Sequence, residues 1–202
     1  MMRLKHQADA ARKWRTAIRR VEYHFPSHLP PLMFLTDPDR APDAVSRLAE
    51  LPKKAGIIFR HFGASDRFAR AKVLAHHCLR QRRPFLIAAD PELALSVGAT
   101  GVHWPESWLG AARKWRGRFY IQTASAHSRR AAVRAAQMGM DAVFYSAIFP
   151  SDSPSAGQPV GPTKFRLFEL HAPLPVYGLG GVNSRTAARI ASHSGLSGVS
   201  LW

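Results

Sequence analysis

From residue 31 onward, short apolar runs alternate with longer stretches of helical period. The runs lie at residues 32–35, 56–59, 85–88, 101–103, 119–123, 142–146, 176–179 and 198–201. Each is short enough for a strand and apolar enough to be covered on both faces, as strands of a parallel sheet are. Residues 43–50, 67–81, 91–97, 107–115, 129–138, 163–171 and 185–193 lie between them, most with Ala, Leu, Arg or Glu at helical spacing. Ser128, Pro162 with Thr163, and Asn183 with Ser184 stand where helices are expected to begin. Strand followed by helix gives right-handed βαβ units, and eight strands in succession predict a closed TIM barrel rather than an open doubly wound sheet.

The two ends depart from a regular barrel. Residues 1–21 read as an extra helix with Leu4, Ala8, Ala11, Trp14, Ala17, Ile18 and Val21 on one apolar stripe. The sequence stops at Trp202, directly after the eighth run. The expectation is therefore an α/β TIM (β/α)8 barrel over residues 31–202 that lacks the last helix. A basic helical extension over residues 1–30 would precede it, lying over the exposed gap or capping the barrel floor. The pentapeptide Ala-Arg-Lys-Trp-Arg occurs at residues 11–15 and again at 112–116, with no longer period behind it.

Composition narrows the class. With 46% hydrophobic, 10% aromatic and 21% charged residues, disorder, collagen and coiled coil are excluded. No apolar run approaches the length of a membrane span. Cys78 is the single cysteine, so no intrachain disulfide can form, and Arg and His fill the first thirty residues where a signal peptide would be apolar. The expected location is the cytoplasm. A formal charge of +16 draws anions to the surface without saying which anion matters.

In a barrel of this type chemistry collects at the carboxyl ends of the strands. The residues there are Thr36 and Asp37, Arg60 and His61, Asp90, His103, Ser125 and His127, Ser151 and Ser153, and Gly180, Gly181 and Asn183. Cations, hydroxyls and glycines dominate this rim. Gly180 and Gly181 let backbone approach an anion at which a helix starting near Asn183 would aim its N–H groups. Arg60 could hold a phosphate or carboxylate through two hydrogen bonds, and Ser125 is a further rim hydroxyl. His127 carries the side chain suited to proton transfer near neutral pH. No lysine lies where a buried Schiff base would need it, no His or Cys cluster has zinc spacing, and no GxGxxG follows a strand.

Leu35-Thr36-Asp37 after strand one, LALSVGATGVH at residues 93–103, Phe149-Pro150-Ser151 after strand six and GLGGV at residues 178–182 occur in that order and spacing. Together they resemble the thiamine-phosphate synthases and their relatives, the TenI-type thiazole tautomerases. The resemblance covers most of residues 32–201. It implies a barrel that binds thiazole phosphate and, in the synthases, a pyrimidine pyrophosphate with magnesium.

The departures matter as much as the matches. Where synthases carry Gln-x-Arg-x-Lys on strand two, the stretch here is Ile58-Phe59-Arg60-His61-Phe62, and only the Arg is kept. Ala88-Ala89 replaces the Asn-Asp pair after strand three, Trp108 takes the place of a second magnesium Asp with Glu106 nearby, and Ser151-Asp152-Ser153-Pro154 replaces Thr-x-Thr-Lys. A departing pyrophosphate needs a divalent cation and several positive groups. What remains, Arg60, Ser151, Ser153 and the Gly180-Gly181 turn, suits a ligand with one phosphate. His127 matches the proton-shuttling histidine of the tautomerases. The expected function is a TenI-like member of the family binding a thiazole phosphate or similar small phosphate, with magnesium only if synthase activity is kept. One alternative is an active synthase whose missing groups come from His61, His103 and Glu106. The other is a non-catalytic barrel that binds or regulates through its basic surface. The expected partner is a phosphorylated small molecule, with no membrane, nucleic acid less favoured, and a homo-oligomer left open.

Overall fold

The computed structural model of the chain describes residues 2–38, 43–151 and 157–199, with the backbone alone for residues 2–8. The eight expected strands are present and close on themselves: β1 (Leu32–Leu35), β2 (Ala55–Phe59), β3 (Phe85–Ala88), β4 (Gly101–Trp104), β5 (Ile121–Ser125), β6 (Ala142–Tyr145), β7 (Val176–Gly178) and β8 (Gly195–Gly198). Every neighbouring pair is parallel, and β8 pairs with β1 through Leu32↔Leu196, Met33↔Ser197 and Phe34↔Gly198. Closure leaves no edge strand with unpaired backbone groups.

The helices follow the predicted alternation. They are α1 (Met2–His24), α2 (Ala44–Glu50), α3 (Arg67–Arg80), α4 (Pro91–Ser96), α5 (Leu109–Ala112), α6 (Arg129–Gln137) and α7 (Gly161–His171). Local chemistry sets their starts. Asp43, Asp90 and Ser128 each accept a hydrogen bond from a backbone N–H three residues on, satisfying a donor that the first turn leaves unpaired. The carboxyl end of α2 is served by a distant side chain: the buried Arg83 guanidinium donates to the carbonyls of Leu48 (3.3 Å) and Leu51 (3.0 Å).

Three sequence expectations need correction. The eighth strand begins at Gly195, earlier than the predicted 198–201, because residues 195–198 pair with both β7 and β1; residues 200–202 lie outside the described part. The helix expected over 185–193 shrinks to one 3-10 turn, Ala187–Arg189, behind a turn in which Asn183 Oδ1 accepts from the Arg185 N–H and Thr186 Oγ1 donates to the Gly181 carbonyl. The helix expected over 107–115 splits into α5 flanked by two 3-10 turns, Glu106–Trp108 and Arg113–Trp115.

Alternation along each strand divides the core in two. Phe165, Ile148 and Ile190 pack against the outward face of Gly178, so the next inward position on β7 is Tyr177. Its ring stacks on Phe144 at 4.6 Å, and Phe144 meets His103 edge-on at 4.9 Å. The strand registers carry the same inward phase to Met33, Ile58, Leu86, Thr123 and Ser197. The barrel is thus filled, as barrels of eight strands are.

The leading segment closes one end of that interior. Phe25 packs edge-on against Tyr177 at 5.0 Å, and the Tyr177 hydroxyl donates to the carbonyl of Pro30 at 2.5 Å. Trp14, Ala17, Ile18 and Val21 of α1 are buried as the stripe predicts, with α1 against β8 and the 3-10 turn at Ala187–Arg189. Leu4 and Ala8 of that stripe fall where side chains are not described.

An imidazole sits among the inward side chains. His103 is buried, with Nδ1 2.9 Å from Thr123 Oγ1 and Nε2 3.2 Å from Ser125 Oγ. Burial, helped by the nearby positive charge of Arg60, depresses its pKa from 6.5 to about 3. The ring is neutral in the folded barrel.

Two predictions follow from this packing. Trp14→Ala removes a fully buried side chain and is expected to cost about 3–5 kcal/mol, lowering Tm by roughly 10 °C in a thermal melt, whereas Tyr23→Ala, which is 94% exposed on the same helix, leaves Tm unchanged. Between pH 6.5 and about 3 the unfolded chain takes up a proton at His103 that the folded barrel refuses, so this residue makes stability fall as pH is lowered and has no effect above 6.5. Urea titrations are expected to show the wild type losing more stability from pH 7 to pH 5 than His103→Gln does.

Candidate functional site

The inward phase of β2 continues past its last residue, so Arg60 turns into the barrel mouth and His61 turns away from it. Arg60 Nε donates to the Thr36 carbonyl at 3.0 Å, its Nη2 lies 3.4 Å from Asp37 Oδ2, and its backbone N–H donates to Thr36 Oγ1 at 3.0 Å. These contacts from the end of β1 hold the guanidinium at the mouth, where its charge reaches His103. His61 instead is buried behind the sheet, stacked on Phe59 at 4.6 Å, with neither ring nitrogen hydrogen-bonded and its pKa lowered mainly by burial. It cannot supply a group missing from the mouth.

Ser125 closes β5 facing inward and meets His103. Two residues on, His127 stands on the rim with its side chain 55% exposed. Its Nδ1 and its backbone N–H both lie 2.9 Å from Glu106 Oε2, and its Nε2 lies 3.4 Å from Ser146 Oγ. Arg134 of α6 approaches the other carboxylate oxygen of Glu106 at 3.4 Å. Register explains the meeting. Trp104 on β4 pairs with Ala124 on β5, so the loops that follow leave the barrel at one level.

Gly180 and Gly181 adopt positive φ, +87° and +64°. Their close neighbour is the loop after β6: a Cβ on Gly180 would stand 2.7 Å from Ala147 Cα, and one on Gly181 2.4 Å from the Pro150 carbonyl oxygen. Phe149 N–H donates to the Gly180 carbonyl at 3.0 Å. Glycine is therefore required for conformation and for loop packing alike. No longer helix follows Asn183 to aim free N–H groups at a ligand: a single 3-10 turn forms, and Asn183 Oδ1 itself accepts from the N–H groups of Arg185 (2.8 Å) and Thr186 (3.3 Å). Ser151 is half-buried directly after Pro150. Ser153 and Asp152 lie outside the described residues.

Of the expected site residues, Arg60 and Ser125 share the mouth through His103, while His127 gathers partners of its own. Glu106 as the partner of His127, together with Ser146 and Arg134, escaped sequence reasoning. Aligning the ends of β4 and β5 would have shown Glu106 and His127 as rim neighbours.

A divalent cation does not fit this donor set. Magnesium demands several oxygen ligands in near-octahedral array. Ala88 and Ala89 stand at the end of β3, and the rim carboxylates Asp37, Asp90 and Glu106 among the described residues are engaged elsewhere. Asp37 pairs with Arg60, Glu106 with His127 and Arg134, and Asp90 with Arg67 while it caps α4. Among the described residues no three His, Cys, Asp or Glu side chains come together as a metal site.

Comparison with known proteins agrees with this architecture. Residues 32–202 match the family described as thiamine monophosphate synthase. A thiamine-phosphate synthase of Chlorobium limicola is 30% identical over 177 residues, covering 85% of this chain and 84% of that protein. One from Listeria monocytogenes is 31% identical over 144 residues, 68% of this chain and 66% of that protein. The solved thiamine phosphate pyrophosphorylase of Pyrococcus furiosus superposes with a TM-score of 0.71 at 23% identity, over 83% of this chain and 84% of that one, which shows a common fold. No helix among the described residues is long and apolar enough to cross a membrane. With a closed eight-stranded parallel barrel, the motifs in order and a family match over nearly the whole barrel, the chain belongs to the thiamine monophosphate synthase family.

Proposed function

We propose that this chain is a TenI-like member of its family that binds a thiazole phosphate, or a small phosphate of similar shape, at the barrel mouth and moves a proton on it through His127. The observation that carries the reading is the state of the rim carboxylates. Asp37, Asp90 and Glu106 are each tied to a cationic or imidazole partner, and alanines stand at the end of β3. Joining a pyrimidine pyrophosphate to a thiazole develops negative charge on the departing pyrophosphate, which a divalent cation and several cations must stabilise. Proton transfer makes no such demand.

Each residue then has a task. Arg60, fixed by Thr36 and Asp37, places a permanent positive charge at the mouth for the phosphate. His103 stays neutral beside it and offers a hydrogen bond through the Ser125 edge of the mouth. Ser125, Ser151, Ser153 and the backbone at Gly180 and Gly181 complete the phosphate contacts. His127 Nε2 removes a proton from a ring carbon and returns one to the carbon that becomes saturated, or the reverse. One C–H bond breaks, one forms and the ring double bonds shift, with no co-reactant. The protein acts in the cytoplasm on this reading.

The pairs of measurements differ in what they isolate. Arg60→Ala is expected to weaken binding of thiazole phosphate by roughly 10-fold or more in calorimetry. His127→Ala is expected to leave that affinity within about twofold and to abolish proton exchange. Wild-type values for both variants would remove the site. With pyrimidine pyrophosphate, thiazole phosphate and magnesium supplied together, no thiamine phosphate is expected above the uncatalysed background, and robust formation would overturn the reading in favour of an active synthase.

A further inference from the structure

We infer that Glu106 is the positioning residue for His127: its carboxylate holds the imidazole as the Nδ1–H tautomer and aims an unprotonated Nε2 at the barrel mouth beside Ser146. The inference rests on the proton-transfer reading for its purpose, and on geometry alone for its substance.

One oxygen, Glu106 Oε2, lies 2.9 Å from both the backbone nitrogen and Nδ1 of the same residue, His127. A carboxylate offers only acceptors. At that distance the tautomer protonated on Nε2 would set an Nδ1 lone pair against a negative oxygen. The tautomer with Nδ1–H makes a charge-assisted hydrogen bond instead. Binding the backbone and the ring of one residue through one atom restricts both the loop and the rotation of the side chain. Nε2 is then the acceptor, and the Ser146 hydroxyl, 3.4 Å away, is its donor until a substrate proton replaces it.

The carboxylate is itself held. Pro105 precedes a 3-10 turn that starts at Glu106, and Arg134 from α6 approaches the second oxygen at 3.4 Å. Ser128, next to His127, caps α6 by accepting from the Ala131 N–H at 3.1 Å, which anchors the chain on the other side. As an element of stability alone, a half-exposed pair of this kind contributes little. An exposed imidazole with a partner at each ring nitrogen, Glu106 at Nδ1 and Ser146 at Nε2, is held as a proton-transfer group requires, with one ring nitrogen left to serve as the base.

The full chain labelled with 15N-histidine tests this by NMR, with His127 assigned by difference against His127→Gln. In the wild type the His127 ring is expected predominantly as the Nδ1–H tautomer. In Glu106→Ala it shifts to predominantly Nε2–H, and Glu106→Asp restores the Nδ1–H form in part. Alongside, deuterium exchange from heavy water into thiazole phosphate is expected to fall by about 100-fold in Glu106→Ala, with the affinity for thiazole phosphate within about twofold of wild type. Should Glu106→Ala not fold, the isosteric Glu106→Gln replaces it, with a mixture of tautomers expected because the amide carries no charge. A tautomer ratio that does not move when Glu106 is replaced overturns the inference, as does a loss of affinity that accounts for the whole loss of exchange. Absence of exchange in the wild type strikes only the proton-transfer reading, and the tautomer ratio still decides the role of Glu106.

Discussion

Closure of the sheet is the constraint on which the rest of this molecule depends. Once β8 pairs with β1, every inward side chain must share one confined interior, and every outward one must be covered by a helix. The stack of His103, Phe144 and Tyr177 fills that interior in a column, with Phe25 and Pro30 of the leading segment closing it beneath Tyr177. A packed interior leaves only the strand ends free to meet a ligand, so chemistry is displaced to the rim. Even there, the alternation of the strands chooses which of two adjacent residues serves. Arg60 faces the mouth, and His61, one residue later, is buried behind the sheet against Phe59.

Electrostatics at the mouth follow from how the positive charge is held. The chain carries a large excess of cations, but at the rim they are not loose. Arg60 is held by Asp37 and a carbonyl, Arg67 ties α3 to the end of β3 through Asp90 and the Ala88 carbonyl, and Arg134 leans on Glu106. The carboxylates that could have gathered a divalent cation are used to fix cations and an imidazole instead. The same fold that in its relatives bears the name of a synthase here presents a neutral buried histidine, a fixed guanidinium and an imidazole with a carboxylate partner. On the proposed reading those groups serve a single phosphate and a mobile proton.

The fold was largely legible in the chain because its signal is periodic. Eight apolar runs separated by helical stretches admit few arrangements, and the apolar stripe at Trp14, Ala17, Ile18 and Val21 told in advance that the first helix would be packed down. Failures cluster where short-range rules compete. Asn183 reads as a helix start and its side chain accepts from the N–H groups that follow, yet one 3-10 turn is all that forms. Residues 107–115 have helical composition, but the run divides into α5 and two flanking 3-10 turns.

Sequence by itself determined the barrel, its strand order and the family, because these depend on the period of hydrophobicity and on motifs that are local in the chain. Tertiary structure alone decided which rim residues meet. Glu106 and His127 are 21 positions apart, and Thr36 and Arg60 are 24 apart. Nothing local links them. They meet because parallel strands in register deliver their loops to the same level of one closed rim, and that register is a property of the whole sheet.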